Sequence, residues 1–211
     1  MTAETPATEP NTRIQREKRE RILDAALEVF STHGFRGATV DQIAEAAGMS
    51  KPNLLYYYRG KEDIHRTLLT RLLDTWLAPL REIDAAGDPL KELRGYIRRK
   101  IEMARDFPRE SRLFANEMLR GAPHVLAMLT GGLKPLVDEK AAILRQWMRE
   151  GRLAKVDPHH LIFAIWATTQ HYADFDVQVR AVLGPDRGGE GRFEDAARVI
   201  EALFLEGLRV R

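Results

Sequence analysis

The sequence contains no cysteine, which removes disulfides, thiolate metal sites and a cysteine nucleophile together. Long apolar runs are missing too. Stretches such as Leu161–Ala167 fall far short of the roughly 20 residues that cross a bilayer. The first ten residues are polar and acidic, without the apolar core of a signal peptide. Sustained strand alternation bounded by hairpin turn pairs is absent, and so are internal repeats and heptads. No Ser-His-Asp arrangement, phosphate loop or HExxH is present, so an enzyme is not expected. Charge of one sign is scarce as well. Thirty-three Lys and Arg face 31 Asp and Glu, a net charge of +2. Residues 1–63 hold nine basic and ten acidic side chains, so net charge argues little for nucleic acid. Only locally do Arg13, Arg16, Lys18, Arg19 and Arg21 outnumber Glu17 and Glu20. Such a cluster can hold phosphates, or simply solvate a helix start.

What is present is helical punctuation. Hydrophobic residues make up 44% of the 211 and charged residues 30%, enough for a core in a soluble chain. Residues 1–12 have no periodicity and read as a disordered tail. Ile22, Ala25, Ala26, Val29 and Phe30 mark one buried helix face, stopped by Gly34. Thr39 and Gln42 have the spacing of a capping box for a short helix that ends at Gly48. Ser50 caps a second short helix with Pro52 in its first turn, Lys51 to about Tyr57. Lys61 opens a longer helix carrying Ile64, Leu68, Leu72, Leu73, Trp76 and Leu80. Further helices are predicted over about 89–105, 109–120, 133–150, 158–183 and 192–208, with a loop at 184–189. The class is all-α: a tail at 1–12, a three-helix head at 13–63, and a helical remainder at 64–211.

Two short helices joined by a tight turn at Gly48 have the layout of a helix-turn-helix, whose second helix enters the major groove. Lys51 and Asn53 sit in its polar N-terminal half. Lysine matches guanine acceptors and asparagine matches adenine. Tyr56 and Tyr57 can donate to phosphates. Thr39, Ser50, Pro52 and Lys61 stand at helix starts, where backbone N–H groups favour anions. Each residue alone has an ordinary structural reading as a cap or as core. Their order is more telling, and the chain here resembles the TetR family of repressors. The resemblance rests on Ala25-Ala26, Phe30, Gly34-Phe35, Thr39, Ile43–Gly48, Leu54, Tyr56–Tyr58 and Lys61-Glu62. It departs from the family pattern at Tyr58 and at Arg59-Gly60.

Beyond the head, Ile162, Trp166, Gln170 and Asp174 recur every four positions and share a helix face. An apolar stripe that ends in Gln and Asp is unusual for pure core, because a buried amide needs partners. Tryptophan offers a stacking plane. The glutamine amide offers a donor beside an acceptor, which suits the adjacent N–H and C=O of a pyrimidinedione. Trp76 could close such a pocket, and Arg112 and Asn116 are further candidates. Equally, the tryptophans could be core, Arg112 a structural ion pair, and Gln170, His171 and Tyr172 contacts across a dimer. His159, His160, His171 and Asp174 lack an evident third ligand on one face, so no metal is expected. Together with Leu54–Tyr57, Trp76–Leu80, Ser111–Phe114 and His160–Phe175, these residues resemble one branch of the family, the uracil-responsive repressors of pyrimidine-utilisation genes.

That resemblance implies a cytoplasmic homodimer paired through its last two helices. It also implies a double-stranded palindromic operator, and a small effector such as uracil or another pyrimidine, with no cofactor and no membrane. A different small hydrophobic or aromatic ligand, or a protein partner, is the competing expectation.

Overall fold

The computed structural model describes residues 13–210, so the predicted tail at 1–12 lies outside the described residues. Among the described residues every regular element is helical. No helix is long and apolar enough to cross a membrane. Contacts divide the chain into one unit through Leu68 and another from Leu69.

The first unit holds α1 (Arg13–Gly37), α2 (Val40–Ala46), α3 (Lys51–Tyr57) and the start of α4 (Lys61–Arg81). The predicted face of α1 is buried, including Ile22, Ala26 and Phe30. Gly34 departs from helical geometry at φ 64°, ψ 170°, a left-handed φ that glycine adopts without a Cβ penalty. The chain turns there and presents Ala38 and Thr39 to start α2. Gly48 repeats the device at φ 65°, and the Arg21 guanidinium donates to Ala47 O (2.6 Å) beside it. Ile43, Ala44 and Leu54 close the small core.

The second unit holds the rest of α4, α5 (Pro89–Asp106), α6 (Pro108–Leu119), α7 (Leu126–Met128), a π-helical turn (Leu129–Leu133), α8 (Lys134–Arg149), α9 (Pro158–Asp174), α10 (Asp176–Arg187) and α11 (Gly191–Leu208). Helix α5 packs on α9 and α11, and α6 and α8 pack on α9. Leu93, Ile97, Leu144, Ile162, Ile165 and Ile200 are among the buried side chains of the shared core. Trp147 is fully buried and donates its Nε1 to Ala85 O (3.0 Å). The buried Lys140 ammonium donates to Arg81 O (2.9 Å) and Ile83 O (3.2 Å), carbonyls freed where α4 ends.

Three boundaries differ from the periodicity. The helix predicted over 158–183 breaks at Phe175 (φ −116°, ψ 30°). On its two sides, Asp174 accepts from Ser111 Oγ (2.6 Å), and Asp176 accepts from the buried Arg192 (2.6 Å) and from Arg180 (2.9 Å). The bonds from Ser111 and Arg192, which come from other helices, outweigh an unbroken apolar pattern. The loop predicted at 184–189 is instead helical through Arg187, kinked at Gly184 (φ 72°). The helix predicted from Leu133 is preceded by α7 and the π-helical turn, which contains Gly131-Gly132.

Candidate DNA-reading head and effector cavity

In the head, local chemistry builds α2 and α3. The capping box is complete: Gln42 N donates to Thr39 Oγ1 (3.2 Å), and Thr39 N donates to Gln42 Oε1 (2.9 Å). Asn53 N donates to Ser50 Oγ (3.4 Å), and Pro52 occupies the first turn of α3. Lys51, Pro52, Asn53 and Tyr56 are all exposed, Tyr56 at 72%. Lys51 Nζ pairs with Asp41 Oδ2 (2.9 Å), both half exposed or more. An exposed pair of this kind is held by only about 0–1 kcal/mol.

The tyrosines divide by burial. Tyr58 is buried, Tyr57 is half-buried and meets Tyr56 edge-on (5.1 Å), and the Arg19 guanidinium lies over the Tyr57 and Tyr58 rings (5.9 and 5.4 Å). The basic cluster of α1 is thereby partly committed: Arg13 pairs with Glu17, Arg19 covers the tyrosines, and Arg21 holds Ala47 O. Lys61 is committed as well. Its ammonium donates to Phe35 O (3.1 Å) and Ala38 O (2.9 Å) and lies 4.9 Å from the Phe35 ring centroid. It ties the end of α1 to the start of α4, and two of its three donors already have partners.

In the second unit the predicted effector residues fall into two cavities. One, of about 500 Å³, is lined by Ser111, Arg112, Phe114, Asn116, Gln170 and Asp174, with further apolar side chains. Helices α6 and α9 supply the polar groups one turn apart: Arg112 with Asn116, and Gln170 with Asp174. Arg112 is steadied by a bond from Nη1 to Ala173 O (3.3 Å). No described residue bonds the Gln170 amide. Trp76 is buried behind this wall, stacked on Phe114 with ring centroids 6.1 Å apart. Burial raises the Asp174 pKa above the ordinary carboxylate value, against the Ser111 hydrogen bond and the nearby charges of Arg112, His171 and Lys100.

Trp166 lies in a second cavity, of about 340 Å³, with Leu129, Leu133, Val137 and Phe163 as apolar walls and Lys134, Asp138 and His159 at its edge. Its Nε1 donates to Tyr96 Oη (2.5 Å). Tyr96 is itself buried, which pushes its hydroxyl pKa far up, so it stays protonated. The expected stripe therefore forms one helix face, yet Trp166 opens on one cavity while Gln170 and Asp174 line the other. His171, near Asp174, stacks on Phe175 (5.0 Å), and His159 Nε2 meets Asp138 (3.0 Å).

Periodicity missed Lys100 and Tyr96. Arg98-Arg99-Lys100 looks like a solvated charge run. The signal was spacing: Lys100 falls three after Ile97 and four before Ala104, on the buried face of α5.

Residues 22–67 match the model of bacterial regulatory proteins of the TetR family, and residues 69–211 match that of the YcdC-like protein C-terminal region. The chain is 49% identical over 194 residues, 92% of each chain, to the HTH-type transcriptional regulator RutR of Escherichia coli strain K12. It belongs to the TetR family. A more distant relative is the transcriptional regulator TcmR of Streptomyces glaucescens, 28% identical over 67% of this chain and 59% of that one. Among solved structures, the ketosteroid transcriptional regulator KstR2 of Mycobacterium tuberculosis shares the fold with a TM-score of 0.72, at 24% identity over 97% and 99% of the two chains. AibR, solved with isovaleryl coenzyme A and operator DNA, shares it at 0.71 and 20% identity, over 89% and 98%. A TetR-family member with this relative is a ligand-responsive transcriptional repressor, and the family is one of regulators rather than enzymes.

Proposed function

We propose that this TetR-family chain is a repressor that releases a palindromic operator when a pyrimidine such as uracil occupies the cavity between α6 and α9, and that it controls pyrimidine-utilisation genes in the cytoplasm. The observation that carries this reading is the polar wall of that cavity. Gln170 and Asp174 stand one turn apart without saturated hydrogen bonding, opposite Arg112 and Asn116, and the Phe114–Trp76 stack backs the wall. A flat ring bearing alternating N–H and C=O groups satisfies such a wall; an acyl chain leaves its polar groups stranded.

DNA reading is assigned to α3, with Lys51 and Asn53 toward bases and Tyr56 and Tyr57 toward phosphates. Thr39, Ser50 and Pro52 set the helix starts, and Lys61 holds the scaffold. The partner surface for a second copy is the outer face of α9 and α11, where Phe163, Ala164 and Ala167, and Val199, Ala202 and Leu203, are exposed. A palindromic operator offers its two half-sites on successive major grooves, roughly 34 Å apart, one for the α3 of each copy. The effector acts by binding better to the form with the wrong spacing. The Trp166 cavity, with its apolar walls, supports a second reading in which the effector is a more hydrophobic ring.

Calorimetry with uracil, thymine and cytosine tests the assignment. Heat with uracil and uracil-induced loss of operator binding in gel shifts are expected. No heat with any of the three, from protein that binds DNA, overturns it.

A further inference from the structure

The mouth of the α6–α9 cavity is apolar and open. Leu119, at the end of α6, is 85% exposed, and Phe175, just past the end of α9, is 55% exposed; both line the cavity. His171 lies nearly flat against Phe175 there, with ring centroids 5.0 Å apart and planes at 21°. A site that holds a small molecule well encloses most of its surface. Large apolar side chains left in water at the rim of such a site belong to a surface that another body covers.

Helix α9 indicates which body. Its exposed side chains include one stripe, His160, Ala164, Ala167, His171 and Phe175, at spacings of four, three, four and four, the repeat of a single helix face. The stripe starts on the face assigned above to a second copy and ends at the cavity mouth. Its middle is two alanines, small enough for another helix to approach closely. Regulators of this family typically pair as dimers. A standard interface buries roughly 800 Å² per partner, a patch about 30 Å across. Phe175 lies eight residues beyond Ala167, about 12 Å along the helix. A patch of that width centred on Ala164 and Ala167, with Val199 and Leu203 of α11 beside them, therefore extends over the mouth.

We infer that the second copy seals the mouth of the α6–α9 cavity, so that each effector site is complete only in the dimer. This rests on the effector cavity and the α9–α11 pairing proposed above and goes beyond them, because it makes binding and pairing one event. A single helix carries both surfaces: Gln170 and Asp174 line the cavity, while Ala164, Ala167 and His171 are exposed on the face offered to the second copy. An effector behind the seal is held by two chains. By linkage it tightens the dimer by the same factor as the dimer tightens it.

The chain has no native cysteine, so Leu119→Cys supplies a single thiol at the mouth, and its maleimide labelling rate reads the cover directly. In effector-free native-like dimer, labelling should be at least about tenfold slower than for the same thiol in the urea-unfolded chain, because an interface excludes water and reagent. Val199→Glu with Leu203→Glu, two exposed positions one turn apart on α11 that line neither the α6–α9 nor the Trp166 cavity, should give a monomer. That monomer, folded by circular dichroism, should bind uracil at least about tenfold more weakly than native protein, although it keeps every side chain of the cavity. Uracil should also lower the dissociation constant of the native dimer in sedimentation. A thiol in the dimer that labels as fast as in the unfolded chain overturns the inference without any ligand. A folded monomer that binds uracil as tightly as native protein overturns it independently, and so does a dimer that uracil loosens. If native protein binds no pyrimidine while the thiol is protected, the seal stands and it is the effector assignment that fails.

Discussion

The head and the effector unit both tie withdrawn cations to backbone carbonyls, Lys140 doing in the second what Lys61 does in the first, but they differ in the size of the core behind them. In the head, Arg21 closes α2 through Ala47 O, Lys61 spans Phe35 O and Ala38 O, and Arg19 covers Tyr57 and Tyr58. Positive charge is spent on holding three short helices whose own core is small. In the effector unit the core is extensive, fixed by Leu93, Ile97, Leu144 and Trp147, and holds the Lys100 ammonium 6.0 Å from the Trp76 ring centroid. A binding site needs groups left unsatisfied, and a unit with a large core has stability in reserve to keep them. The comparison teaches that a lysine's role follows from what already accepts its donors, and the following outcomes would break or sharpen it.

The largest effect should come from the reserve itself. Trp147→Ala removes a fully buried indole and strands Ala85 O, and should destabilise the effector unit by about 3–5 kcal/mol in urea unfolding. A loss below about 1 kcal/mol would mean that this core is not the source of tolerance. Next, Lys61→Met should cost the head about 2–3 kcal/mol, because two carbonyls lose a charged donor. Its operator affinity should fall without a change in salt slope. A slope reduced by about one unit would instead show Lys61 on a phosphate.

The two units were also unequally legible. In the head, Thr39, Gly48 and Ser50 are local signals acting over three or four residues, so the helix bounds follow from them. Gly34 marks the kink inside α1 rather than its end, since the chain turns there and helical geometry resumes to Gly37. In the effector unit the predicted starts at 89 and 158 agree with the helices observed, each behind an aspartate cap. The break at Phe175 did not, because it is imposed by Ser111, 63 residues from Asp174, and by Arg192, 16 residues from Asp176. The face shared by Trp166, Gln170 and Asp174 follows from period alone; its division between two cavities depends on α6 and α8, which periodicity in α9 cannot see. Lys100 was hidden by its sequence neighbours Arg98 and Arg99, which pair with Glu194, Glu201 and Glu102 at the surface.

Gln170→Leu should weaken uracil binding by more than about tenfold, since it leaves imide groups of the ring unpaired. Operator affinity without effector should not change. Equal losses in both assays would place Gln170 in the fold or the dimer rather than in the effector site. Lys51→Ala should weaken operator binding by about 1–2 kcal/mol and lower the salt slope by about one, and stability should hardly move because its partner Asp41 is exposed.

The smallest effect separates cap from contact. Thr39→Ala removes the oxygen that accepts from Gln42 N while the backbone N–H that donates to Gln42 Oε1 stays, which should cost the head about 1 kcal/mol. Thr39→Ser keeps the hydroxyl and should restore stability. If the serine variant restores stability and operator affinity together, the threonine acts on DNA only through the start of α2. If stability returns and affinity does not, the Thr39 methyl group touches the operator, and the head contains one residue that both builds the motif and reads with it.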